Sequence, residues 1–404
     1  MPLPSPRRAL IAGGSMAGLI AAHLLLRRGW DVQVFERVEA PLTSRGAGIV
    51  THPALWRALE ACGLDPTRDL GVAVRIRRVF GRDGRLLGER ECPQVFTAWD
   101  RLFRLLRDAF PDARYHAGQA VEEVAQDADR VRARINGETV EAALLVGADG
   151  IRSTVRGLLL PEAQPRYAGY VGWRGLIAEA ALPPAVHADL FEGMCFCLPP
   201  GEQMVGYPVA GPDNDLRPGH RRYNTVWYRP ADEASELPAL LTDETGRQHE
   251  GSIPPPLIAR ATVAAMREAA ERLLAPQFAT LVRLTPQPFL QPIYDLESPR
   301  MALGRVALIG DAAFVARPHV GAGVTKAAED AEALAAALDA AGGDVPAALA
   351  RFEAARLPRN RRVIERAREL GRCIAAAGRP ADETVREPSV LMRDIAVVDF
   401  LDAA

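Results

Sequence analysis

Several things are scarce in this chain of 404 residues, and each scarcity removes a class of protein. Cysteine comes first: five residues, at 62, 92, 195, 197 and 373, form an odd and scattered set. Such a set gives no disulfide framework and fits a reducing compartment, the cytoplasm. Cys195 and Cys197 in "CFC" would share one face of a strand, but no second Cys or His pair stands nearby to complete a metal site. Positive charge is not in surplus either. The formal net charge of −2 argues against nucleic acid as the main partner, since phosphate contacts need a basic excess. Internal repeats and low-complexity tracts are missing, although 327–350 is rich in alanine. With 48% hydrophobic and 25% charged residues, what remains is an ordinary globular chain, long enough for more than one domain.

A membrane-spanning run is the last absence, and it has to be argued. Residues 9–26, between Arg7-Arg8 and Arg27-Arg28, carry no formal charge, the profile of a membrane anchor or a twin-arginine export signal. Gly13, Gly14, Ser15, Gly18 and His23 interrupt that run, whereas a bilayer helix needs about twenty strongly apolar residues. No convincing cleavage site precedes "DVQVFER", so the export reading fails as well. The stretch reads better as a strand "ALIA", a turn "GGSMAG", a helix from Leu19 to Arg28 closed by Gly29, and a second strand "DVQVFE". Gly13, Gly14 and Gly18 then let the backbone approach a pyrophosphate. The helix start supplies oriented N–H groups, and Glu36 accepts from a ribose hydroxyl. Ser15 occupies the middle glycine position of G-x-G-x-x-G, which weakens the fingerprint. Glu36 suits NAD or FAD without choosing between them.

Two later motifs choose. In "VRARINGETVEAALLVGADGIRSTVR" a hairpin turned at Asn136-Gly137 leads to a buried strand and then Asp149-Gly150. Asp83-Gly84 reads as a plain hairpin turn, but Asp149-Gly150 is followed by a helix start bearing Arg152 and Arg156. Far downstream, "GRVALIGDAAFVARPHVGAGVTKAAEDAEALAAAL" puts Asp311 at the carboxyl end of a buried strand, where it can bind a ribityl hydroxyl. A long helix begins near Gly321, Ala322, Gly323 and Val324, offering N–H donors and a positive dipole end to a planar anion.

These motifs, in this order and spacing, resemble the flavin-dependent aromatic hydroxylases, the single-component FAD monooxygenases of the p-hydroxybenzoate hydroxylase type. The resemblance spans nearly the whole chain, including "RGAGIVTHPALWRALEACGL", "YAGYVGWRGLI" and "ALARFEAARLPRNRRVIERAREL". "GGSMAGL", "TAWDRL", "VWYR" and "ARPHVGAG" look most like the branch acting on 2,6-dihydroxypyridine. The implied fold is α/β: a Rossmann-like FAD-binding domain from 1–70, 97–165 and 285–340, with an inserted, mostly antiparallel β-sheet substrate domain from 71–96 and 166–284. A helical C-terminal region follows from 341–404.

The implied activity uses NADH or NADPH, O2 and a small hydroxypyridine-like or other electron-rich ring, oxygen transfer running through a flavin C4a-hydroperoxide. Its partners are small molecules, with no nucleic acid and no membrane, and a homodimer is left open. By family position Gly13, Gly14, Ser15, Met16, Ala17 and Gly18 surround the pyrophosphate. Glu36 and Arg37 flank the adenosine ribose, Asp149 and Gly48 adjoin FAD, and Asp311 holds the ribityl chain. Arg45 contacts FAD or the nicotinamide pyrophosphate, a solvated loop arginine being the alternative. The helix start at 321–324 stabilises negative charge on the flavin pyrimidine, and Pro318 faces the ring to be oxidised. His52, Tyr207 and His319 join Pro318 as catalytic candidates, with a packing role as the alternative for each.

Two departures stand out. Phe314 replaces the family's His after "GDAA", and Trp99 stands where an FAD-contacting Arg is common, unless Arg101 substitutes. Two rival readings differ in what they explain. A nicotinamide-dependent dehydrogenase leaves the Asp149 and Asp311 motifs without a job; an FAD protein of the same fold acting as a non-oxygenase oxidoreductase or sensor does not. No "WxWxIP"-like segment supports a flavin halogenase.

Overall fold

The computed structural model describes residues 7–40, 42, 48–66, 70–376 and 378–401. β1 (Arg8–Ala12) is buried at every position but its first, the profile of a strand covered on both faces in a parallel sheet. α1 (Met16–Leu26) follows, then a turn with Gly29 at φ +78°, then β2 (Asp31–Glu36). β1 and β2 pair in parallel, from Arg8 opposite Asp31 to Ala12 opposite Phe35.

This unit sits in a six-stranded sheet whose order is Ala302–Leu303, Val306–Leu308, Leu144–Gly147, β1, β2 and Tyr115–Ala117. All its pairings are parallel except that of the first two strands. The order has a direct consequence. The turns after three adjacent parallel strands, at Gly13, Asp149 and Asp311, emerge along one edge of the sheet, where open α/β sheets bind ligands. The Gly323–Ala340 helix packs on α1 behind that edge.

A nine-stranded sheet forms the second body. Its pairings are antiparallel except between Gly193–Cys197 and Val72–Phe80. Side chains alternate across it with period two. Trp173, Trp227, Cys195 and Cys197 pack with residues of the helices Arg260–Leu273 and Pro276–Leu284. Tyr170, Val205, Tyr207 and Tyr228 belong to a separate apolar cluster with Val320 and Ala322, which precede the Gly323–Ala340 helix. The strands Gly48–Val50 and Phe289–Glu297, which the sequence division assigns to the FAD-binding part, pair into this sheet.

Leu391, Met392, Ile395 and Ala396 pack in the same cluster. After the Val345–Leu370 helix, the segment 392–396 is clamped by the fully buried Arg77. Its guanidinium donates to the carbonyls of Met392 and Ile395 at 2.8 and 2.7 Å, and Gln94 Nε2 donates to Ala396 O at 2.8 Å. All five cysteines are free thiols. Among the described residues no helix is long and apolar enough to cross a membrane, and no His/Cys/Asp/Glu group is placed to hold a metal.

Candidate active site

Two cavities open along the sheet edge. The first, of about 200 Å³, is lined by Gly13, Ser15, Glu36, Arg37, Trp99 and Asp149 among others. Gly13 has φ +104°, and a Cβ there would run into the Ala148 carbonyl, so the strand end demands glycine. Ser15 has φ −98°, a region open to any residue, which is why serine can replace the middle glycine. Its side chain makes no cap, leaving first-turn N–H groups of α1 available to an anion. Met16 and Gly18 do not line the cavity: Met16 is packed in the core, and Gly18 lies against the Gly13 carbonyl.

Glu36 is buried and doubly engaged. Its Oε2 accepts from the Gly14 N–H at 2.9 Å and its Oε1 from the Val38 N–H at 3.0 Å. The Gly14 N–H expected at a pyrophosphate is therefore taken by the carboxylate, which pins the turn to the end of β2. Trp99 lines this cavity and stacks on Phe103 at 5.2 Å. Arg101 points instead into a separate cavity beside Arg104 and Asp213, so it does not substitute for Trp99. Arg45 lies outside the described residues.

Asp149 lines the first cavity while holding the turn that follows it. Its Oδ1 accepts from Ser153 Oγ at 2.5 Å and its Oδ2 from the Val155 N–H at 3.1 Å. Burial raises its carboxyl above the ordinary value. Arg156, read from the sequence only as part of a helix start, is the larger surprise. Buried at 3% exposure, it donates to the carbonyls of Ala163, Ala312 and Ile151 at 3.0, 2.8 and 2.6 Å. One guanidinium thus ties the Asp149 turn to the Asp311 turn.

The second cavity, of about 260 Å³, lies between the sheets. Gly48, Asp311, Pro318, His319, Gly321, Ala322, Gly323 and Val324, all expected at the flavin or the substrate, line it. Asp311 is open to the cavity and accepts no hydrogen bond from the described residues, although the protein around it raises its carboxyl pKa. A Cβ on Gly310 would sit 2.8 Å from that of Ala17, so this turn abuts the start of α1. Gly321 takes φ +63°, and Ala322, capping the Gly323–Ala340 helix, offers no side-chain acceptor to the first N–H groups.

On the sheet wall Tyr207 donates to Gly48 O at 2.9 Å and stacks on Phe96 at 4.3 Å. Burial pushes its phenol up to about 12. His319 is held from both sides: Nδ1 donates to Gln203 Oε1 at 3.1 Å, and Nε2 accepts from the Tyr170 hydroxyl at 2.9 Å. Burial and then the charge of Arg317 lower its pKa to about 3, so it is neutral. Arg317 itself is paired with Asp295 at 2.8 Å. Gln203 lines the cavity at 1% exposure, with its Nε2 unpartnered.

The sequence reading did not include Gln203 and Arg174, which line the second cavity, or Tyr170, which backs His319. The available signal was the period-two alternation of "EQMVGYPV", which sets 203, 205 and 207 on one face. His52, expected among the catalytic groups, lines neither cavity; it is 5% exposed and its Nε2 contacts Gly321 O at 3.2 Å. Its place is behind the helix start, bracing it. Phe314, which stands in place of the His expected after "GDAA", is fully buried in the core.

The residues present fit FAD. The Asp149–Gly150–Ile151 turn lines the first cavity with its first two residues and the second with its third. Helix N-termini and an open carboxylate serve a pyrophosphate, a ribityl chain and a planar pyrimidine in that sequence. Such a site defines an FAD-dependent oxidoreductase. Residues 167–295 match the FAD binding domain-like family and 293–367 the FAD binding domain family.

The chain is 33% identical to 2,6-dihydroxypyridine 3-monooxygenase of Paenarthrobacter nicotinovorans, over 82% of this chain and 83% of that protein. It is also 33% identical to 3-amino-4-hydroxybenzoate 2-monooxygenase of Streptomyces cremeus, over 90% and 86%. The solved 2,6-dihydroxypyridine-3-hydroxylase from Arthrobacter nicotinovorans superposes with a TM-score of 0.86 at 30% identity, covering 94% of this chain and 96% of that one. The chain belongs to the flavin-dependent aromatic hydroxylases, and it is an FAD-dependent monooxygenase.

Proposed function

We propose that this enzyme uses NADH or NADPH to place one oxygen atom of O2 on an electron-rich, hydroxylated N-heteroaromatic ring of the hydroxypyridine type. The second cavity carries the reading: a helix start and an open carboxylate on one side, a sheet wall with an unpartnered amide on the other. Bound FAD supplies the redox chemistry, accepting hydride and activating O2. The chain supplies the rest. The 321–324 helix start steadies negative charge on the flavin pyrimidine, and Asp311 accepts from the ribityl chain. Gly13, Ser15 and Ala17 approach the pyrophosphate, with Glu36, Arg37 and Trp99 around the adenosine. Gly48 borders the flavin edge, and Asp149 and His52 are positioning residues.

In the substrate half, Gln203 Nε2 donates to a ring oxygen, and neutral His319, backed by Tyr170, holds that amide. Pro318 and Tyr207 shape the wall. Ile395, held by Arg77, and Ala396, held by Gln94, keep water away from the reacting centre. The division into a discontinuous FAD-binding domain, an inserted substrate sheet and a helical C-terminal region, a cytoplasmic location for five free thiols and a homodimeric assembly belong to the same reading.

A second substrate type has an observation in its favour. Arg174 lines the cavity, donates to the neutral Gln291 at 2.6 Å and has no acidic partner among the described residues. It would suit a ring carboxylate, as in an aminohydroxybenzoate. Hydroxypyridines and hydroxybenzoates should therefore be screened for stimulated NAD(P)H oxidation, and the product formed under labelled O2 weighed. A turned-over substrate whose product carries no label ends the monooxygenase reading.

A further inference from the structure

The helix that presents its N-terminus to the second cavity carries a lysine sealed inside the protein. Lys326 is 1% exposed, and its Nζ has no hydrogen-bond partner. Its ion-pair contact among the described residues is Asp330 Oδ2, at 3.6 Å, too long for a hydrogen bond. Asp330 is already well served. Its Oδ1 accepts from Arg356 Nε at 2.8 Å and Asn360 Nδ2 at 3.0 Å, and its Oδ2 accepts from the Gly310 N–H at 3.1 Å. Next to it Glu329 pairs with Arg356 at 3.0 Å and with Arg359 at 2.7 Å.

Arg356 is shared between the two carboxylates and Arg359 serves Glu329, so Lys326 is a further cation beside them. A buried ammonium without a counter-charge is strongly disfavoured. Besides Asp330, a carboxylate within reach of its charge is Asp311. The Gly310 N–H held by Asp330 docks its turn on this helix, with Ala327 Cβ 3.4 Å from where a Gly310 Cβ would stand. The field of Lys326 stabilises the charged form of Asp311, against burial and against the negative charge of Asp330.

We propose that Lys326 is a positioning residue for the cofactor, supplying from beneath the cavity floor the counter-charge of Asp311, so that the ribityl hydroxyls meet a carboxylate and not a carboxylic acid. This rests on the reading that Asp311 faces the ribityl chain. A charged acceptor makes a hydrogen bond roughly twice as strong as a neutral one. The charges acting on Asp311 are those of Lys326 and Asp330; Asp330 pairs in turn with Arg356, and Glu329 with Arg356 and Arg359, whereas the Lys326 Nζ lacks a hydrogen-bonded partner.

FAD is titrated into the full-length chain stripped of flavin, and quenching of flavin fluorescence is read from about pH 5 to about pH 8. The wild type should bind evenly across that range. Lys326→Met should bind roughly tenfold more weakly at the acid end and recover as rising pH ionises Asp311. Asp311→Asn should bind weakly at every pH, and adding Lys326→Met to it should change nothing further. A loss in Lys326→Met that is independent of pH, or additive with Asp311→Asn, overturns the proposal. Unchanged affinity in Asp311→Asn itself would instead sink the ribityl assignment beneath it. Should Lys326→Met alone fail to fold, thermal unfolding of the double variant decides. It should unfold no lower than Asp311→Asn if Asp311 is the counter-charge, and lower if Asp330 is.

Discussion

Arg156 offers the most demanding test of how this site is held together. Its side chain is nearly sealed, and three carbonyls from three places in the chain depend on it: Ile151 after the Asp149 turn, Ala163 beyond the short helix, and Ala312 beside Asp311. Arg156→Met keeps most of the apolar stem and removes every donor. Hydrogen bonds from a charged group contribute about 1.5–3 kcal/mol each, but the desolvation of the guanidinium, which lowers its own pKa, is recovered when it goes. Each of the three carbonyls left unpaired costs about 1–3 kcal/mol, so after that recovery the net loss is about 3–5 kcal/mol. At about 2–4 °C per kcal/mol for chains somewhat smaller than this one, the apoprotein should unfold roughly 5–15 °C lower. A multidomain chain need not unfold in two states, so the comparison is made at one scan rate with the wild type alongside. Because Ala312 adjoins Asp311, FAD affinity should fall as well, and excess FAD should recover part of the lost temperature by mass action. An Arg156→Met protein that unfolds within about 2 °C of wild type and binds FAD equally well refutes the argument.

Three further outcomes follow from the geometry. Asp311→Ala removes a charge-assisted acceptor worth roughly 1.5–3 kcal/mol without leaving a protein donor unpaired, so FAD affinity should drop about ten- to a hundredfold; unchanged occupancy at limiting FAD counts against it. His319 is neutral in the folded protein, its pKa lowered from 6.5 to about 3, so below pH 6.5 the unfolded chain takes up a proton that the folded one refuses. Stability should therefore be full above that pH and fall by about 1.4 kcal/mol per pH unit toward acid; His319→Asn should lose that slope in denaturant titrations at stepped pH. Gln203→Leu takes away the free amide donor and should raise the KM for the ring substrate about tenfold, one hydrogen bond's worth, while FAD binding stays as it was. A proportionate loss of FAD affinity would place Gln203 in the wrong site.

The sequence carried the parts of this molecule that are local. β1, the glycine turn and β2 were legible because a doubly buried strand is a short apolar run and a strand end at Gly13 tolerates no side chain. Asp149 and Asp311 were legible as residues following buried strands, although only the strand order shows that their turns are neighbours. Non-local pairings were not legible. Gly48–Val50 is three residues long, and nothing within it says that its partner lies at Phe96–Ala98. His52 illustrates the same limit from the other side: its type suggested catalysis, yet the contact that decides its place is to Gly321, far along the chain.

The choice between Trp99 and Arg101 marks where local reasoning stops and tertiary packing takes over. Both lie in the first turn of the Trp99–Asp108 helix, two residues apart, and residues at that spacing do not share a face. Sequence could therefore state that one of them at most meets the cofactor. Which one depends on the roll of the helix, and that is set by Leu102, Phe103 and Leu106, which are buried against the core. With those three inward, Trp99 is carried to the cavity edge and Arg101 to the far side. An indole there can cover an adenine by stacking, but it cannot neutralise phosphate charge as an arginine would. On the proposed reading, the burden of holding the pyrophosphate accordingly falls on backbone N–H groups at the start of α1, where Ser15 leaves them uncapped.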